Sequence, residues 1–401
     1  MSDPTRLPLT NAITQKVGDA AIPAGGSGPP TAVIFRKRLL PWSETFIAQQ
    51  GLALQRYRPL FTGYRYQEDG RKYIEGADSI VLQDHSPIPG LGKITLKALH
   101  RVPRGWHRAL AAYEPRLVHV HFGVNALAAY PIARSFGVPL IVTYHGMDIT
   151  VKRDSARGLR RRERVFAVAD RILAVSDFIR DRLLEAGAPP EKLMRHRIGV
   201  DTTHFSPPSE AEREPATILF VGRLVPKKGL IHLLRALVAV QGAVPEARLL
   251  VAGDGGLRDD LEAAADELGV RATFLGVQTP FQIRDLMRTS TVFAAPSVVA
   301  PDGNAEGLPM TIVEAQACGL PVVGFPSGGS AEGVLEGRTG YMLAPRDEEG
   351  LAERLVGLLT RPDRLGAMSR AAREHALASF DLGRQTAELE RIYDEARGLD
   401  R

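Results

Sequence analysis

The runs Thr291-Val-Phe-Ala-Ala295 and Pro321-Val-Val-Gly-Phe325 bracket Glu306-Gly-Leu-Pro-Met-Thr-Ile-Val-Glu314, and the three read in order as strand, helix and strand. Pro309 suits the first helical position, because its missing N–H would lack a partner there anyway. Gly319 and Pro321 supply the stop, giving a helix of about three turns. Its first amides and positive dipole end lie beside Glu306, Gly307 and Leu308, where backbone alone can hold an anion such as a diphosphate. Glu314 then falls one to two turns inside the helix and Glu306 in the loop before it, so the two carboxylates reach hydroxyls on opposite sides of bound phosphates. Two glutamates at this spacing also fit a plain surface helix. The preceding strand tips the reading, because open α/β sheets bind ligands at the carboxyl ends of their strands.

The same alternation runs through the chain. Short apolar segments at 32–35, 58–62, 79–82, 117–122, 140–144 and 171–175 form one series, and those at 217–221, 247–252, 272–275, 291–295, 322–325 and 340–343 form another, with helical stretches between them. Strands alternating with helices imply parallel sheets covered on both faces. Two series imply an α/β protein of two doubly wound domains facing across a cleft, as the length of 401 residues also favours. A Pro/Ser/Glu-rich break at 204–215 separates them. Residues 1–30 read as a disordered lead, 31–210 as the first domain, 211–378 as the second, and 379–401 as a C-terminal helix that is a candidate to pack back on the first.

A single cysteine, Cys318 in an apolar context, excludes an internal disulfide and fits a reducing cytoplasm. No charge-free run reads as a membrane span, and the start lacks the pattern of a signal peptide. Charge is uneven: residues 1–205 hold 30 Lys and Arg against 18 Asp and Glu, and the remainder 21 against 28. Basic clusters at 93–108 and 157–164 mix arginine with apolar residues, which suits an anionic lipid surface as well as a solvated helix face. No recognition motif for nucleic acid accompanies them.

Candidate chemistry sits at strand ends. The run 217–221 leads into Gly222-Arg223-Leu-Val-Pro-Lys-Lys228-Gly229 and then a helix, an order that suits either a phosphate clamp from Arg223 and Lys228 or plain surface basicity, without being a P-loop. Gly253 and Gly255 form a second strand-to-loop turn, either a ligand approach or a plain turn. In the first half His121 and His145 end two strands and are expected to face the cleft; a lone histidine is more often structural, and His145 is the better candidate because glycine follows it and Asp148 is close enough to orient it. Ser43 is either an acceptor contact or a helix cap. No Asp-x-Asp and no His/Cys cluster of metal spacing occurs, so no metal or other cofactor is expected.

Gly222-Arg223 to Gly229, Glu306 to Glu314 and His145-Gly146, with Val175-Ser176, Gly199-Val200-Asp201 and Gly319-Leu-Pro-Val-Val, together resemble family 4 of the retaining glycosyltransferases, over roughly residues 31–401. Leu40-Pro-Trp-Ser43-Glu44-Thr45 is similar to the subset that builds bacterial exopolysaccharides of the colanic-acid kind. The resemblance implies a GT-B fold and transfer from a nucleoside diphosphate sugar; with no metal motif and a basic first half, the expectation is metal-free transfer to a saccharide or lipid-linked oligosaccharide by a cytoplasmic enzyme at the inner face of the membrane. It implies that Arg223 and Lys228 hold the diphosphate, Glu306 the transferred sugar and Glu314 the ribose, with His145 beside the sugar from the opposite lobe. One departure is plain: Arg36-Lys-Arg-Leu-Leu-Pro-Trp-Ser stands where many members carry a glycine-rich turn. A nucleotide-sugar hydrolase, epimerase or synthase on the same fold, and a non-catalytic sensor, are the alternatives.

Overall fold

The computed structural model describes residues 28–41, 44–67, 70–86, 96, 101–151, 155–208 and 213–399. Ser43 and nearly all of the expected disordered lead lie outside these residues. Two sheets carry the fold. From edge to edge, the first contains Asp78–Val81, Arg58–Gly63, Thr31–Phe35, Pro115–His121, Leu140–Tyr144, Arg171–Ala174 and Leu193–Arg195. The second contains Ala272–Gly276, Arg248–Ala252, Thr217–Val221, Val292–Ala295, Val322–Gly324 and Gly340–Met342. Every pairing is parallel. In both, chain order across the sheet begins third, second, first, fourth, so each sheet has its switch point beside its first strand. The strands read as unbroken apolar runs because both faces are covered: all five residues of Thr31–Phe35 and of Leu140–Tyr144 are buried.

The twelve expected runs are all strands, most shifted by a residue at an end. Leu193–Arg195 and the small ribbon of Arg38–Leu39 with Arg65–Tyr66 were not legible, since they are two or three residues long and partly exposed. The central helix also differs. It spans Met310–Ala317, about two turns rather than three, and Pro309 with ψ 117° is the residue before it rather than its first member.

The chain crosses between lobes twice, and the crossings are fastened together. Val200 N–H donates to Phe380 O, Leu382 N–H donates to Val200 O, and the Arg373 guanidinium donates to the carbonyls of Thr202 and Phe205. Asp381 breaks the helix Pro362–Phe380 and caps the next, Leu382–Ala396. This last helix lies on the first sheet, burying Leu389, Ile392 and Tyr393 against Ala32, Ile34 and Leu117. Each such side chain contributes about 1.5–3 kcal/mol. The terminal helix is therefore a structural part of the first lobe.

Candidate active site

The carboxyl end of Thr217–Val221 turns at Gly222 into a short 3-10 turn, Pro226–Lys228, and the helix Leu230–Ala243 follows. That turn sends two ammonium groups to one carboxylate: Lys228 Nζ lies 3.0 Å from Glu306 Oε1 and Lys227 Nζ 3.4 Å from Oε2. Glu306 is only 8% exposed. Burial pushes its carboxyl up, but the two lysines outweigh burial and hold it below its ordinary range. Sequence reading selected Lys228 and passed over Lys227, although the adjacent pair was the available signal. Arg223 is exposed, and its guanidinium bonds to none of the described residues. The backbone amides of Gly307 and Leu308 likewise have no acceptor among them. Leu308's side chain is buried in the apolar seam between the lobes, so only its backbone is available to a ligand.

Glu314 lies in the middle of its helix, half-buried, and its carboxylate has no hydrogen bond or ion pair among the described residues. Burial without a compensating charge pushes its carboxyl up to about 7. A Cβ on Gly253 would sit 2.0 Å from Gly222 O and one on Gly255 2.5 Å from Leu224 O, so both glycines let their loop pack closely against the Gly222 loop. Gly222 itself gives way to the stem of Lys228, whose Cε would lie 3.3 Å from an added Cβ.

The first lobe supplies the opposite wall. His145 lies half-buried between the rings of Phe46 and Phe122, with centroids 5.1 and 4.5 Å away. Burial, then His119, Arg36 and His196, push its imidazole down to about 3, so it is neutral at physiological pH. His121, expected to face the cleft, is instead buried behind it, with Nδ1 3.1 Å from His145 Nε2. Asp148 does not touch the His145 ring. Its Oδ1 accepts from the amides of His145 and Gly146 and its Oδ2 from Gly123, so it ties together the two loops that carry the histidines. Where a glycine-rich turn would stand, Arg36 forms a two-pronged bond to Glu44 at 2.7 and 2.6 Å and stacks over Phe122.

The walls meet along glycines. Gly307 abuts His145 O, Gly329 abuts Ser176 and Gly307 O, and Glu332 accepts from the amides of Asp177 and Phe178 at 2.8 Å, fastening the lobes together beside the site. Asn304, Glu306 and the lysines therefore lie across from His145, at the joint switch points of both sheets.

Two parallel sheets in this order, meeting at a cationic clamp, define the two-lobed GT-B class of glycosyltransferases. The comparisons agree: residues 61–204 match Glycosyltransferase Family 4 and residues 201–375 match Glycosyl transferases group 1. The putative colanic acid biosynthesis glycosyltransferase WcaL of Salmonella typhimurium is 31% identical over 67% of this chain and 68% of its own. The GDP-mannose-dependent alpha-(1-6)-phosphatidylinositol monomannoside mannosyltransferase of Mycolicibacterium smegmatis is 32% identical over 69% of this chain and 76% of its own. The crystal structure of Anabaena Alr3699/HepE with UDP and glucose superposes with a TM-score of 0.74 at 19% identity, over 91% of this chain and all of that one. The chain belongs to family 4 of the glycosyltransferases.

Proposed function

We propose that this glycosyltransferase moves a sugar from a nucleoside diphosphate donor to a saccharide acceptor, lipid-linked during growth, in the assembly of a cell-surface polysaccharide. The supporting observation is the pairing of buried Glu306 with Lys227 and Lys228 beside the unbonded Arg223 and the open amides of Gly307 and Leu308. Arg223, Lys228 and those amides receive the diphosphate and stabilise the charge that grows as it leaves. The sugar's C1–O bond breaks with its electron pair passing to the β-phosphate oxygen. An acceptor hydroxyl bonds to C1 from the same face and gives its proton to that oxygen, so configuration is retained and no metal takes part. Glu306 contacts the transferred sugar, His145 offers a neutral hydrogen-bonding edge to it, and Glu314 accepts from the ribose hydroxyls.

The test is a thermal-shift screen against UDP, GDP, ADP and their sugars with EDTA present. A relative named for GDP-mannose and a fold neighbour solved with UDP place both bases in the screen. A ligand at a hundredfold excess over its dissociation constant stabilises by about 2.7 kcal/mol. Arg223→Ala is expected to weaken both binding and transfer by about 1.5–3 kcal/mol, the range for a charged hydrogen bond. Absence of any EDTA-resistant shift overturns the metal-free donor site, and free sugar formed without acceptor turns the reading to a hydrolase.

Donor affinity should also depend on pH. Glu314 offers both oxygens as charged acceptors to ribose hydroxyls only when ionised, and burial pushes its carboxyl up to about 7 in the free protein. Affinity for a diphosphate sugar, which does not itself titrate in this range, therefore falls as pH drops, by about tenfold between pH 8 and 6. The folded protein's own stability changes in the opposite sense: a raised carboxyl favours folding at low pH and loses that contribution as pH rises to 7. Calorimetric titration of Glu314→Gln should show a flat profile, and an unchanged slope would remove Glu314 from the ribose site.

The basic first lobe is where the enzyme meets an anionic leaflet. Helices Arg104–Ala111 and Ala156–Val168 cover the same face of the first sheet, exposing Arg104, Arg108, Arg157, Arg160 and Arg164, with Leu159 39% exposed among them. Among the described residues no helix is long and apolar enough to cross a membrane. Each arginine near such a surface contributes about 1 kcal/mol. Co-sedimentation with phosphatidylglycerol vesicles at low salt is expected and should fail for the triple change Arg157→Gln, Arg160→Gln, Arg164→Gln; binding that ignores lipid charge would refute this placement.

A further inference from the structure

Behind His145 lies a buried polar chain that the proposed transfer does not use. His119 and His121, two residues apart on Pro115–His121, are each 1% exposed. His121 Nδ1 is 3.1 Å from His145 Nε2, and the His119 ring packs on that of His121 with centroids 4.4 Å apart. His119 is fixed at both nitrogens, Nδ1 to the Tyr393 hydroxyl at 2.6 Å and Nε2 to Thr143 Oγ1 at 2.7 Å. Tyr393 belongs to the terminal helix, which Glu390 anchors by accepting from the amides of Gln55 and Arg56.

A neutral imidazole carries one N–H. The contact between His121 and His145 holds a single proton, so whichever ring donates there determines what the other nitrogen of His145 can do. If His121 donates, His145 Nδ1 bears hydrogen and is a donor; if His145 donates, its Nδ1 is an acceptor. That Nδ1 has no hydrogen-bond partner among the described residues, so it is the edge left for substrate. Charging either ring is opposed by burial, which keeps the pair sharing one proton rather than two.

We propose that His121 is a positioning residue that locks His145 into one tautomer and one ring orientation, with His119 and Tyr393 of the terminal helix bracing it. This rests on His145 being the residue beside the transferred sugar. The terminal helix, which follows the second lobe in sequence, thereby completes the site of the first.

The experiment compares His145→Ala, His121→Leu, His121→Asn and Tyr393→Phe by steady-state kinetics, donor binding and long-range ¹H–¹⁵N correlation of the imidazoles. The Asn amide can place a hydrogen-bonding group near the position of Nδ1. In the parent protein His145 should show one neutral tautomer. His121→Leu should give a mixed tautomer pattern and a kcat on the order of 10-fold to 100-fold lower, with donor Kd within twofold. His121→Asn should restore most of the turnover and the single tautomer, and Tyr393→Phe should cost a few-fold in kcat. A mixed tautomer in the parent, or full turnover by His121→Leu while His145→Ala is impaired, overturns the proposal. Full turnover by His145→Ala removes instead the reading on which it rests. Thermal unfolding and donor binding identify any variant that has merely failed to fold, in which case His121→Asn against Tyr393→Phe decides.

Discussion

Glu306→Gln is expected to lower kcat by about a hundredfold to a thousandfold while leaving donor affinity unchanged or improved, the scale at which removing one preorganised electrostatic contact acts. The reason is the charge balance around the carboxylate. Glu306 neutralises part of Lys227 and Lys228, which approach it at 3.4 and 3.0 Å. Removing its charge leaves the same cations facing the diphosphate with nothing competing for them, so ground-state binding does not suffer. What disappears, in the proposed reaction, is the anionic partner near the transferred sugar, whose anomeric carbon gains positive character as the C1–O bond lengthens. The swap is nearly isosteric, and the amide still accepts one lysine bond. Even so, a buried pair that loses one charge should cost up to about 3–5 kcal/mol of stability. That cost has a definite pH signature: because the folded carboxyl is held below its ordinary range, its contribution is present above pH 4.5 and is lost as pH falls through the lowered value. Single-turnover assays with calorimetric donor titration separate the two effects. Parallel losses in binding and turnover would mean that Glu306 is only a scaffold for the lysines.

How much of this site could be read from the sequence depended on range. Strand–turn–helix units are local, and their apolar runs follow from burial on both faces, so the clamp loop at Gly222 to Gly229 and the Glu306 helix were legible. Contacts between distant segments were not. Nothing in the run His145-Gly-Met-Asp148 shows that the carboxylate binds three amides across two loops instead of the imidazole. His121 and His145 look alike at strand ends, yet one is buried behind the other, an arrangement set by the side-by-side pairing of Pro115–His121 with Leu140–Tyr144. Gly253 and Gly255 carried a glycine signal whose partner could not be read locally, since the backbone each packs against, Gly222 and Leu224, lies about 30 residues away. Tyr393 and Glu332 gave no signal at all, since each acts on residues more than 100 positions away in sequence, Tyr393 within the first lobe and Glu332 across the lobe boundary.

Gly307→Ala should be among the most damaging single methyl groups at the described positions, because it wedges one lobe against the other. A Cβ there would lie 1.8 Å from His145 O and 3.2 Å from Val175 Cγ2, and contacts below 3.0 Å force something to move. The obstacle is backbone, not the end of a flexible side chain, and His145's amide is itself held by Asp148. The strain is therefore relieved by separating the lobes, not by rearranging either one. The apolar seam shared by the lobes loosens, but the second lobe's own core stays intact, so the variant should still bind nucleotide through the proposed Arg223, Lys228 and Glu314 contacts, all on the second lobe. The proposed transfer needs His145 and the acceptor brought against the clamp, and a displacement of about 1 Å can cost a hundredfold in rate. The expected result is a kcat loss of at least about a hundredfold with donor Kd within threefold, together with a larger radius of gyration by solution scattering in the presence of donor. Gly146→Ala offers a graded comparison: its Cβ would be 3.1 Å from Gly307 N, less crowded, although its φ of +146° adds backbone strain. A compact, fully active Gly307→Ala enzyme would show that the lobe contact at His145 is not part of the working state.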